Sequence, residues 1–137
     1  MHKKTVFTLA VSAMLLTACG SKNSTDDMQY IKTSVLYDTI SDMYDNPDQY
    51  LGKNFHMVGT LYPTTEDDGT KFYSIYAEES PNSHGIGLEL DWSDYSGLED
   101  YDTVTVEGKL DKDKGMHDGE EVEYLVLRVS MLEKRST

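Results

Sequence analysis

Phe55-His56-Met57-Val58-Gly59-Thr60-Leu61 and Val104-Thr105-Val106-Glu107-Gly108-Lys109-Leu110 share one pattern: apolar, any residue, apolar, any residue, Gly, any residue, Leu. Such alternation puts the apolar residues on one face of a strand. A glycine inside a strand marks a bulge or a tight bend, and small barrels need these to close. The repeat occurs twice without the fixed period of a solenoid. It therefore predicts two bent strands within one small closed sheet.

The sequence between and beyond the two motifs fits the same reading. Asp68-Gly69 supplies a turn, and Lys71 to Glu78 makes a second strand. After a loop at Pro81 to His84, the residues Ile86, Leu88, Leu90 and Trp92 alternate with Gly87, Glu89 and Asp91 to give a third. The Val104–Leu110 motif is the fourth. Asp111 to Glu120 reads as a polar, Gly-punctuated loop, and Val122 to Met131 as a fifth strand. Leu125, Val126 and Leu127 put apolar side chains on both faces of that last strand, which predicts cover on both sides. Upstream, Val35, Leu36, Ile40, Met43 and Tyr44 fall at helical spacing within a helix predicted over Gln29 to Asp45. Thr33 or Ser34 is the expected cap, with Asp27 for a longer helix. Asn46-Pro47 ends the helix, followed by one short turn to Tyr50-Leu51 before Gly52.

One helix and five short strands, the first and fourth bent at Gly, resemble a mainly β, five-stranded OB-like barrel. The resemblance covers about residues 50–132. It departs at Ser93 to Asp102, where that fold usually carries a helix and this chain has room for a turn or two. The Val35–Tyr44 helix is expected to plug the barrel end instead.

The N-terminus has its own signature. His2-Lys3-Lys4 precedes an apolar run from Val6 to Leu16, a secretory leader by charge and length. The run is too short to span about 30 Å of hydrocarbon. Leu16-Thr17-Ala18-Cys19 resembles the lipobox of bacterial lipoproteins, which implies a thioether-linked diacylglycerol on Cys19, cleavage before it and N-acylation. Residues 1–18 then form the signal peptide, 19–27 the lipidated Cys and a flexible tether, and 28–137 the helix plus barrel. The expected location is the extracytoplasmic face of a bacterial membrane, held there by the lipid. Cys19 is the only cysteine, so no intramolecular disulfide supports the fold. The stretch Asn46 to Lys53 before a strand is also similar to that of small uncharacterised lipoproteins of Gram-positive anaerobes. That likeness implies a Cys pair where this chain has Ser83-His84, so any metal or redox role of such a pair is missing here.

The formal charge is −13, and it becomes more negative once Lys3 and Lys4 leave with the leader. Affinity for nucleic acid rests on Lys and Arg neutralising phosphates, so the composition predicts no nucleic-acid partner. Catalytic signatures are lacking: there is no Gly-x-Ser-x-Gly elbow, and His56, His84 and His117 lie far apart without zinc-ligand spacing. Asp111, Asp113 and Asp118 begin like a calcium loop. However, Gly115 stands where an oxygen ligand belongs, Met116 where a Gly belongs, and the closing bidentate Glu is missing. No cofactor is predicted beyond the covalent lipid, with Ca²⁺ the weak alternative.

In OB-like barrels the ligand face is the outside of strands two and three, framed by the loops joining strands one–two and four–five. Here that face is predicted to show Phe72, Ser74, Tyr76, Glu89 and Asp91, with Glu66–Asp68 and Asp111–His117 on its rims. Aromatic residues beside carboxylates suit a cationic or carbohydrate-like ligand. The sequence thus favours a non-catalytic ligand- or protein-binding module of the cell envelope. A calcium-binding lipoprotein is the second reading and an envelope hydrolase the third.

Overall fold

In the computed structural model, which describes residues 27–136, the two glycine motifs lie side by side. Phe55 faces Gly108, Met57 faces Val106 and Gly59 faces Val104 in antiparallel register. The strands are β1 (Met28–Tyr30), β2 (Asn54–Thr65), β3 (Lys71–Glu78), β4 (Gly85–Asp91), β5 (Thr103–His117) and β6 (Glu120–Lys134), with one helix, α1 (Leu36–Asp45). Strand order runs β2-β3-β4-β6-β5, and the β5–β2 pairing closes the ring. Strands β4 and β6 run parallel; the other pairs in the ring are antiparallel. This is the five-stranded, OB-like barrel that the alternation and the glycines predict.

Both motif glycines are close-approach positions. The β5–β6 register slips between Glu107 and Gly108, the bulge that bends β5. A Cβ at Gly108 would sit 2.6 Å from the Arg128 carbonyl oxygen and 2.8 Å from Leu127 Cγ. At Gly59 a Cβ would sit 2.9 Å from Leu36 Cδ2, from Ile75 Cδ1 and from the Tyr76 carbonyl oxygen. Gly59 is thus the gap through which the helix reaches the core.

That helix buries Leu36, Ile40 and Met43 at successive turns, and it seals the barrel against β2, β3 and β4. Each of these side chains contributes about 2 kcal/mol of transfer free energy. Below them Phe55, Met57, Leu61, Ile75, Leu88, Val106, Leu110 and Leu127 fill the interior from alternate strand positions. The expected plug is therefore present, but shorter than predicted. Met28–Tyr30 is a strand rather than the first helical turn. It adds to β2 in parallel, with the Ile31 N–H donating to the His56 carbonyl at 2.9 Å and the Tyr30 ring against the His56 ring. Neither Thr33 nor Ser34 caps the helix; Val35 occupies the cap position with no side-chain bond. Val35 and Tyr44, counted among the apolar positions at helical spacing, are exposed (43% and 45%). The stop at Asn46-Pro47 stands as predicted.

The second correction concerns Asp111 to Glu120, which is not a loop. Strand β5 runs on to His117 and β6 starts at Glu120, joined by Asp118-Gly119 with positive φ at both (50° and 83°). Asp-Gly in that conformation is the two-residue hairpin turn that matches strand twist. Beyond Leu110 the hairpin leaves the barrel, so the apolar alternation that marks a half-buried strand fades.

Candidate functional site

The register sets out one row of side chains across the outer face. Tyr62 pairs with Ser74, Ser74 with Glu89, Glu89 with Val126, and Val126 with Asp111. The five residues expected on the ligand face share this side. They do not act together, because the structure distributes them over three surroundings.

Tyr76 belongs to the first. Its ring lies over Gly85, where a Cβ would fall 2.1 Å from the phenol carbon and oxygen, so only Gly leaves room for it. Tyr62 from β2 stacks on Tyr76 with centroids 4.5 Å apart and 25° between planes. Tyr101, from the β4–β5 connection, meets Tyr62 edge-on at 5.6 Å and 86°. Tyr101 is 62% exposed and has φ of 70°. Its N–H donates to the Leu61 carbonyl at 2.8 Å, and the Leu61 N–H donates to the Asp102 carbonyl at 2.9 Å. The three rings border a groove of about 620 Å³ whose other walls include Thr33, Thr60, Glu78 and Thr103. Burial pushes the Tyr76 hydroxyl pKa up, with Glu78 adding to the shift.

Phe72, Ser74 and Glu89 belong to the second. His117, near the hairpin tip, folds down onto this face and packs edge-on against Phe72 (5.6 Å) and Tyr124 (4.6 Å). Its Nδ1 bonds the Glu66 carboxylate, and its Nε2 stands 4.0 Å from Glu89. The Tyr44 hydroxyl donates to the Gly87 carbonyl at 2.7 Å. Together these line an open hollow of about 240 Å³. Burial pushes the Glu89 carboxyl above its usual range, the nearby acids add to this, and His117 opposes it. Both rims predicted from sequence do frame this face, since the Asp118 carboxylate also accepts the Asp67 N–H at 3.3 Å.

Asp91 belongs to the third, a knot around Arg128. The guanidinium meets Asp91 at 3.0 Å, Asp111 at 3.1 Å and Asp113 at 3.1 Å. These carboxylates raise the Arg128 pKa further. The Lys112 N–H and then Arg128 hold Asp111 below the ordinary carboxylate range. The weak calcium candidates are thereby accounted for: Asp111 and Asp113 sit on a strand and grip an arginine, while Asp118 occupies the hairpin turn. Among the described residues no group of three or more His, Cys, Asp or Glu is arranged to hold a metal. Cys19 lies outside the described residues.

Sequence reasoning missed Tyr62, Tyr101 and Tyr44. Tyr62 directly follows the core residue Leu61, so alternation alone turns it outward beside the Tyr76 strand. Tyr101 is an aromatic residue between acids, Glu99-Asp100 and Asp102, which marks it as having a task beyond solvation. Tyr44 was counted only among the apolar positions of the helix.

No protein-family model and no curated protein matches this chain. Solved structures do resemble it. A small single-stranded DNA-binding protein from Streptomyces coelicolor is 13% identical with a TM-score of 0.40, over 60% of this chain and 93% of that one. The mitochondrial single-stranded DNA-binding protein Rim1 from S. cerevisiae is 16% identical with a TM-score of 0.37, over the same shares. Both are described as single-stranded DNA-binding proteins. They stand against two readings of the sequence: the cell-envelope role given to the ligand- or protein-binding module, and the exclusion of nucleic acid as a partner. The charge argument sums the whole chain, whereas binding depends on the potential of one face. Both readings are withdrawn, together with the calcium-binding and hydrolase alternatives. The OB-like barrel itself stands on the strand order and on the β2–β5 closure.

Proposed function

We propose that the barrel is a non-catalytic binding domain that takes a carbohydrate-class ligand across the Tyr62–Tyr76–Tyr101 groove. Sugar rings offer C–H faces to aromatic planes and hydroxyls to short polar side chains. Thr33, Thr60, Thr103 and Glu78 stand beside the three tyrosines in the groove wall. The observation that carries this reading is Tyr101. A bulky residue at positive φ costs about 1–2 kcal/mol over glycine, and an exposed ring recovers little of it by burial. Strained residues of this kind concentrate at binding sites.

The test is calorimetric titration of the domain with cello- and chito-oligosaccharides, alongside a single-stranded oligothymidylate. Oligosaccharide binding that falls about tenfold in Tyr62→Ala and in Tyr101→Ala is the expected result, the scale of truncating an aromatic anchor. Binding of the oligothymidylate with no response to sugars would overturn the assignment.

A further inference from the structure

We propose that the cavity between the end of α1 and the β5–β6 hairpin is a second site, which takes a small organic ammonium ion. This goes beyond the sugar groove and uses different residues. Four rings, Tyr44, Phe72, His117 and Tyr124, line the cavity with the Glu89 carboxylate among them. An ammonium or methylated ammonium is the guest that aromatic faces and one carboxylate recognise together.

The other charges of this face are already engaged. Asp91 and Asp113 share Arg128, and Glu66 is bonded to His117 Nδ1. Glu89 differs. Its side chain is only 18% exposed, and its contact with His117 Nε2, at 4.0 Å, is longer than a hydrogen bond. A carboxylate desolvated to this degree without a close donor is costly unless a cation arrives. The walls decide which cation. Calcium and magnesium need six or more oxygens at close range, whereas this lining sets four rings around one carboxylate. A methylated ammonium has no such need and gains from every ring it touches. Tyr44 is fixed by its bond to the Gly87 carbonyl and His117 by Glu66, so part of the wall is set before a guest enters.

The experiment is an NMR titration of the protein with tetramethylammonium chloride, with potassium chloride at equal ionic strength as the control. Saturable shifts of Phe72, His117 and Tyr124 ring signals are expected with the organic cation and not with potassium. Glu89→Gln and Tyr124→Leu should each weaken binding about tenfold, while Tyr101→Ala should leave it unchanged, separating this site from the sugar groove. Thermal melts of both variants report that they remain folded. The proposal fails if wild-type protein shows no saturable shift, if potassium gives the same response, or if folded Glu89→Gln binds as tightly as wild type.

Discussion

Phe55 and Gly108 face each other across the β2–β5 pair, a buried ring opposite a residue with no side chain. The chain repeats one motif so that its two copies meet in opposite directions and close the barrel. Replacing Gly108 by Ala drives a methyl to 2.6 Å from the Arg128 carbonyl, a backbone atom with little freedom to move. Gly59→Ala also meets a backbone oxygen, but at 2.9 Å, and its other two neighbours are ends of flexible side chains. We expect Gly108→Ala to cost about 2–3 kcal/mol and Gly59→Ala about 1–2 kcal/mol, measured by urea unfolding. Equal stability of Gly108→Ala and wild type would refute the close-approach reading.

Arg128 ties Asp91 of β4 to Asp111 and Asp113 of β5. Without the guanidinium the three carboxylates repel one another. Because the group is 35% exposed, the loss in Arg128→Met should be modest, about 1 kcal/mol. It should shrink at high salt, where the freed charges are screened. Melting temperatures at low and high ionic strength check both points.

Tyr95 packs against Tyr73 at 4.4 Å, and burial pushes its hydroxyl up to about 12 from 10.0. In the unfolded chain it ionises near the lower value. Its stabilising share is therefore whole below pH 10 and is lost as the pH rises to about 12. After allowance for partial exposure this is about 1 kcal/mol. A melting profile across the alkaline range should fall less steeply for Tyr95→Phe than for wild type. Identical profiles would remove Tyr95 from the account.

Glu89 titrates above its reference value of 4.5 because it is buried. Its charged form therefore costs stability at neutral pH, and acidification through the raised pKa relieves that cost. Glu89→Gln should melt higher than wild type at pH 7. The advantage should vanish once the pH is below the reference value. A lower melting temperature at pH 7 would mean that the His117 attraction outweighs desolvation.

For the leader, the proposal is lipidation at Cys19. Cells expressing Cys19→Ala and fed labelled palmitate should yield an unlabelled protein. Retained label would move the lipid to another residue.

The barrel was legible because inward residues such as Met57, Leu88 and Val106 sit at every second position of their strands, and that period survives any register. Its closure was legible in Gly59 and Gly108. The hairpin extension was not, since Asp111, Lys112, Asp113 and Lys114 put charge on both faces of the strand as it leaves the core. Strand β1 was hidden for a related reason: three residues beside an edge carry no period of their own. Of the expected ligand face, the side of the sheet was right and the grouping was not. Whether Glu89 and Asp91 act together depends on Arg128, which lies 37 residues beyond Asp91 and cannot be placed by local spacing. Tyr101 reaches Tyr62 through a turn whose left-handed backbone no residue pattern announces.

Strand β1 has a mechanical consequence. It is joined to β2 at only three residue pairs, Met28 with Asn54 through Tyr30 with His56. Any pull on the N-terminus loads this short clip before it reaches the closed ring. Thr33, three residues later, borders the sugar groove, so peeling the clip would loosen one lip of the groove while the core stayed shut.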